Sequence, residues 1–447
     1  MKKKIATTIV TLGLLLMAAL PATADAALPK TTDLSSVAAI TAYLTSIGVD
    51  PGTVVIQQGR FNYAGPSCPG AGWNCTTANK VVQISSATSP GANIFDCLPA
   101  LDATFPALNE CLIVQSSVLS VLDPPPPNSA TCTPTFSSDG KTRSKCTIRQ
   151  SSKKGNNYAE VRASMTQSGG TTQSATQEGS ITQTSEAGDN TAKITMTIQQ
   201  TLSFGGNEDP MQTQDAHQTA NVSQTSGTGN NSSDVQLTQL QSENATANAA
   251  ITQAQNTDMS SGFNQDATVS QMSTSGNNSS NLTQRITQGQ SADAKACGAS
   301  CTVKQTQSST TGGHRGKVNQ STATDPSLTN KSVANQIENQ TQDAEVAALA
   351  APPLQQQFGP EDCCATQIGG GPGNVNTVSL VNNQHQTVED LQSTNQSAHC
   401  VGGAGQNCTA SISYTSNNGT TQMSVTGPAA SCTNSGGEVF CSPGGGF

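Results

Sequence analysis

Between residues 145 and 345 apolar and polar positions alternate with a period of two, and one recurring place breaks the alternation with Gly and Asn. The unit runs from an aliphatic residue to Gln, Gly, Asn and a second aliphatic residue. Its copies are Ile148, Gln150, Gly155, Asn157, Val161; Ile181, Gln183, Gly188, Asn190, Ile194; Val222, Gln224, Gly229, Asn231, Val235; and Val269, Gln271, Gly276, Asn278, Leu282. In every copy the second aliphatic falls thirteen positions after the first, as at 148 and 161. Period-two alternation is the signature of a strand, and Gly and Asn tolerate turn backbone, so each copy predicts strand, turn, strand. Copies begin 33, 41 and 47 positions apart, from 148 to 181, 222 and 269.

Three weaker echoes extend the pattern. A copy is expected to begin at Val318, with Asp325 at the Gly position. The run Ala245, Ala247, Ala249, Ile251, Gln253 has the strand pattern without the turn and reads as an additional rung. A late echo comprises Ile412, Tyr414, Gly419 and Val425. The predicted fold class is all-β: a β-solenoid or stacked strand-turn-strand repeats, with a small Cys-rich N-terminal α+β module and a Cys-rich C-terminal segment.

Each repeat Gln sits at an even offset from an aliphatic residue and therefore shares its face. A buried amide without partners costs about 1–3 kcal/mol. Stacking removes that cost, because rungs ~4.8 Å apart let each amide donate to one neighbour and accept from the other. The ladder positions expected to point inward are Gln150, Asn157, Gln167, Gln183, Asn190, Gln200, Gln224, Asn231, Gln239, Gln271, Asn278 and Gln288. The competing arrangement turns these amides outward and leaves the aliphatics alone inside.

These residues resemble the curlin repeats of bacterial amyloid fibres, which place an aliphatic two before Gln, then Gly, then Asn, then Ala, then a closing Gln. The match runs through Ile148, Gln150, Gly155, Asn157, Ala159 and Gln167, and through Ile181, Gln183, Gly188, Asn190, Ala192 and Gln200. Ser233 and Ser280 replace the Ala in the other copies, the turn is longer by two residues, and the interval varies. The resemblance spans about 200 residues. It implies a secreted structural subunit whose stack assembles end to end.

The start of the chain agrees with export. Lys2, Lys3 and Lys4, an apolar stretch at 9–20 and Ala24-Asp25-Ala26 read as a signal peptide over residues 1–26. No later stretch has the ~20 apolar residues of a membrane helix, so no transmembrane segment is expected in the mature chain. The expected location is extracellular or at the cell surface.

Fourteen cysteines in an exported chain favour disulfides. Twelve fall into close pairs: Cys68 and Cys75, Cys97 and Cys111, Cys132 and Cys146, Cys297 and Cys301, Cys400 and Cys408, Cys432 and Cys441. Adjacent Cys363 and Cys364 are left over. The remaining expected divisions are a Cys-rich module over 27–123, holding a short helix at 33–47, and a Pro-rich linker and lead-in over 124–144. The repeats follow over 145–345, then a Gly/Pro-broken region over 346–399 and a Cys-bearing segment over 400–447.

Composition narrows the function classes. Aromatic residues make up 3% and charged residues 11% of the chain, with a net charge of −9 over 447 residues. The basic run at 141–154 has no aromatic interleaving and reads as a solvated face, so no nucleic-acid partner is expected. His217, His314, His385 and His399 lack partners at ligand spacing, and the nucleophile-elbow, zincin, P-loop and dinucleotide motifs are missing. No catalytic, cofactor-binding or metal-binding residues and no cofactor are therefore assigned. A structural protein leads, with self-association or other matrix subunits as partners. A monomeric adhesin binding a glycan or surface is the second class, and a polysaccharide-acting β-helix enzyme the third.

Overall fold

The computed structural model describes Thr45 and residues 55–58, 61–62, 80–85, 92–97, 107–117, 128–138, 141–255, 264–294, 302–307, 314–323, 327–346, 354–368, 375–388, 394–401, 408–416, 419–427, 429–435 and 438–444. The chain forms two compact units, Met1–Thr53 and Val54–Phe447. In the first only Thr45 is described, in helical conformation, so most of the expected helix at 33–47 lies outside the described residues.

Among its described residues the second unit is a stack of strands in two sheets, of fourteen and twelve strands. Each rung contributes a first arm to one sheet, turns, and contributes a second arm to the other. The central rungs are Lys141–Ser152 with Asn157–Ser168, Thr172–Ser185 with Asn190–Gly206, and Met211–Ser226 with Asn231–Ala247. Corresponding arms pair parallel and in register. Ile148 lies beside Ile181, then Val222, Val269 and Val318, while Val161 lies beside Ile194, Val235, Leu282 and Ala334.

The core lies between the sheets. Inward positions alternate with outward ones along every central arm, and Ile148, Val161, Ile181, Ile194, Val222, Val235, Val269 and Leu282 are fully buried or nearly so. Parallel sheets are ordinarily covered on both faces by helices. Here each sheet covers the inner face of the other, and the outer faces carry Thr, Ser and charged residues.

The turn glycines are set by close approach of successive backbones. A Cβ on Gly188 would strike the carbonyl of Gly155, one on Gly229 that of Gly188, and one on Gly276 that of Gly229. Ser226 and Ser273 fix the same turns by accepting from the Gly229 and Gly276 N–H groups at 2.8 Å. Beside them a ladder runs along the outer corner: the Asp189, Asn230 and Asn277 N–H groups donate to Asn156, Asp189 and Asn230 Oδ1.

Several expectations are corrected. The run at 245–253 is no extra rung: Ala245 and Ala247 end one second arm, and Ile251–Gln255 begins the next first arm. That first arm is split, because Ile251–Gln255 and Gln265–Ser273 both pair with Met211–Ser226. The copy at Val318 takes Asn330 as its second-arm Asn, after a longer turn in which Asp325 lies outside the described residues. The late echo is an antiparallel hairpin, Cys408–Ser416 with Gly419–Gly427, that places Ile412 beside Met423.

The sheets also cross the expected divisions. Ala107–Ser117 pairs with Lys141–Ser152, and Asn128–Cys132 with Asn157–Ser168, so strands on both sides of the prolines at 124–127 share the two sheets. In the expected flexible region, Leu354–Ile368 and Val375–Val388 continue the parallel register. Antiparallel pairing replaces it at the far end, where Thr394–Val401, Ala429–Ser435 and Glu438–Gly444 lie side by side.

The turn packing generates a prediction. Gly229→Ala has no room without a backbone shift and should cost about 1–3 kcal/mol, whereas Gly289→Ala, where a Cβ meets only the Gln241 carbonyl at 4.0 Å, should leave the melting temperature nearly unchanged. Equal effects of the two substitutions in thermal unfolding would contradict the close-approach account.

Candidate functional site: an amide clasp beside the turn

The repeat Gln and Asn residues face each other across the core where the two arms meet the turn, and all are buried. The Gln Nε2 groups bond in one unbroken direction. Gln115 donates to Gln83, Gln150 to Gln115, Gln183 to Gln150, Gln224 to Gln183, Gln271 to Gln224 and Gln320 to Gln271, at 2.7–2.8 Å. The Asn ladder runs the opposite way. Asn93 donates to Asn128, then Asn128 to Asn157, Asn157 to Asn190, Asn190 to Asn231, Asn231 to Asn278 and Asn278 to Asn330, at 2.8–2.9 Å. The two rows of amide dipoles therefore oppose each other along the stack.

Each amide has a second N–H, and it crosses to the facing sheet. Gln150, Gln183, Gln224 and Gln271 donate to the carbonyls of Tyr158, Thr191, Ser232 and Ser279 in their own rungs. Asn157, Asn190 and Asn231 donate to the carbonyls of Thr184, Thr225 and Met272 in the following rung. Each Gln thus reaches the residue after the facing Asn, and each Asn the residue after the next rung's Gln. Every such bond contributes a net ~0.5–1.5 kcal/mol, and leaving one unmade costs more.

Further columns lie away from the turn. Gln200 donates to Gln167, Gln241 to Gln200, Gln288 to Gln241 and Gln340 to Gln288. Gln241, ten residues after Asn231, takes the position expected for Gln239, because register is counted from the Asn. Gln239 is buried between Ile198 and Ile286 and donates to the carbonyls of Ala216 and Asn264. Sequence reasoning missed the columns through Gln177, Gln218 and Gln265 and through Gln173, Gln214, Gln255 and Gln307. Their available signal was an even offset, as at Gln218 four residues before Val222.

Two disulfides are present among the described side chains, Cys97–Cys111 and Cys132–Cys146. They cross the core in successive rungs, so the sulfurs of Cys97, Cys111 and Cys132 lie within 4.8 Å of one another. Bonded in pairs, they are not thiolate ligands. Cys432 and Cys441 are register partners on adjacent antiparallel strands. The other expected pairs, with Cys68, Cys75, Cys297, Cys301, Cys400 and Cys408, involve side chains outside the described set.

Among the described residues four ionisable side chains are buried: Glu160, Glu243, His314 and Glu338. Burial opposes ionisation of Glu160, but bonds from Arg162 and Tyr158 hold its carboxyl below the usual value. Burial and the Glu160 carboxylate push the Tyr158 hydroxyl up to about 12. Glu243 stacks on Leu202 and accepts from Gln290, which accepts in turn from Gln342. Its other oxygen accepts nothing, and burial raises its pKa to about 8. His314 interrupts the Gln177 column at the rung after Gln265, and burial lowers its pKa to about 3.

Comparison with protein-family models, curated proteins and solved structures finds no match. The site's chemistry rests on its geometry. Two opposed amide ladders form a continuous bonding track that gives the described rungs from Gln115–Asn128 to Gln271–Asn278 the same pattern of donors and acceptors.

Glu243 makes the stack pH-sensitive with a definite sign. Its folded pKa is raised from 4.5 to about 8, so its stabilising acid form is fully favoured below the unfolded value and lost as pH rises through the folded one. Melting temperature should fall by several degrees from about pH 5 to pH 9, and Glu243→Gln, which keeps a ladder amide, should flatten that slope. His314 acts in the opposite sense, costing stability as pH falls below its ordinary 6.5, so the variant should retain an acid-side decline. An unchanged slope in the variant would contradict the assignment.

Proposed function

We propose that this chain is a secreted structural protein of the cell surface or extracellular matrix, built from curlin-like β repeats that assemble into fibres. The observation that supports this most directly is the pair of unbroken ladders through Gln150 and Asn157. A track of identical amides satisfies each rung from the rungs beside it, and a further rung in the same register would extend the same bonds. The Lys-led apolar segment before Ala26 supports export, and the resemblance to curlin repeats supports a matrix role.

One observation favours a second reading, a monomeric adhesin or surface-binding solenoid. Antiparallel strands Gly419–Gly427 and Glu438–Gly444 end the two sheets, and solenoids use distinct terminal elements to block edge pairing. On this reading the outer Thr and Ser rows meet a glycan or a solid surface.

Negative-stain microscopy and thioflavin binding of the purified mature chain separate the two. Unbranched, thioflavin-positive fibres are expected. A chain that stays monomeric at high concentration for days would overturn the fibre reading in favour of the second.

A further inference from the structure

The two disulfides sit in columns that later rungs fill with ordinary apolar residues. Cys97 and Cys132 are register partners in one sheet, and that column continues as Val161, Ile194, Val235 and Leu282. Cys111 and Cys146 are partners in the other, where the column continues as Gly179, Ala220, Ala267 and Gly316. The core therefore does not need sulfur at these positions for shape.

The sulfur-bearing rungs differ from the later ones in length. Ala92–Cys97 has 6 residues, and Asn128–Cys132 has 5 with 4 more in Thr135–Ser138, which continues along Asn157–Ser168, against 17 in Asn190–Gly206, Asn231–Ala247 and Asn278–Ala294. A short arm brings fewer ladder bonds and fewer buried layers to offset the entropy of ordering its loops. Each bridge closes one such loop, joining a short second-arm strand to the next first arm across a separation of 14 residues. All four cysteines are at most 2% exposed.

We propose that the stacked bridges are a one-way redox latch on the N-terminal rungs. In the reduced chain the long rungs from Thr172 onward stack by themselves, and the short rungs before Lys141 remain unstacked. Oxidation seals them: at each bridge two thiols give up two protons and two electrons to a disulfide oxidant, which leaves as the dithiol. Once stacked, the sulfurs are shielded, because attack on a disulfide requires access for the incoming thiolate. A chain so built completes its stack only in an oxidising compartment.

The test is hydrogen exchange, read by mass spectrometry on the full chain, prepared oxidised and refolded in dithiothreitol. Residues 172–343 should be equally protected in both, while 80–132 should be protected only in the oxidised chain. The folded oxidised chain should keep both bridges in dithiothreitol and lose them only with denaturant added. A variant combining Cys97→Val, Cys111→Ala, Cys132→Val and Cys146→Ala copies the later Val235 and Ala267 columns without the covalent tie, and should exchange like the reduced chain. Protection of 80–132 in the reduced chain or in this variant overturns the latch. So does loss of protection at 172–343 on reduction, or reduction of the folded chain as fast as of the denatured one.

Discussion

A primary amide placed between two sheets has two donors and an acceptor to satisfy without water, and the structure depends on how that demand is met. One donor and the acceptor are spent along the stack, as where Gln183 donates to Gln150 and accepts from Gln224. The remaining donor ties the sheets together, as from Gln183 to the Thr191 carbonyl. Both conditions hold only if the rungs are parallel, in register and about one strand spacing apart. A slip by one residue would turn the amides out and bring Thr and Ser in. The amides that make this core polar are therefore also what fixes its register.

The same constraint explains why the repeat interval varies. Partners along the Gln ladder lie 33, 41, 47 and 49 residues apart, yet their bonds stay at 2.7–2.8 Å. In the four copies from Gln150–Asn157 to Gln271–Asn278 the short turn between Gln and Asn is held constant, and there Gly229 and Gly276 press against the glycine of the rung before, while the flanking Gln115–Asn128 and Gln320–Asn330 rungs have longer turns. Extra residues enter at the opposite turn or within the split first arm, between Ile251–Gln255 and Gln265–Ser273. Neither place carries the clasp. Outer-face charges follow the register too, with Glu160, Lys193 and Asp234 in one column and the Arg315–Asp266 ion pair in another.

Sequence alternation made the arms around Ile148 and Val161 legible, because a strand's two faces are separated by parity alone. The turn was legible through Gly and Asn, and the facing of Gln150 through its even offset from Ile148. Gln239 was misplaced because two inward positions, 239 and 241, both carry Gln, and only counting from Asn231 distinguishes them. The run at 245–253 hid a turn, since Ala249 keeps the alternation between Ala247 and Ile251 while the chain crosses to the other sheet. Prolines at 124–127 suggested a boundary because local stiffness is readable and sheet partnership 29 or 35 residues away is not. The buried acid at Glu243 has the inward parity of Val235 and Ala245, but a carboxylate in that place reads as an exposed residue until Gln290 and Gln342 are seen to stack above it.

Everything in this fold follows from one condition, that the repeat amides are buried, bonded and stacked. It is tested most directly by NMR of the full chain, measuring hydrogen exchange of the side-chain NH2 groups of Gln183, Asn190, Gln224 and Asn231. If the clasp is as described, these protons exchange orders of magnitude more slowly than exposed side-chain amides such as that of Asn230. Exchange of the four at the rate of exposed amides would contradict it.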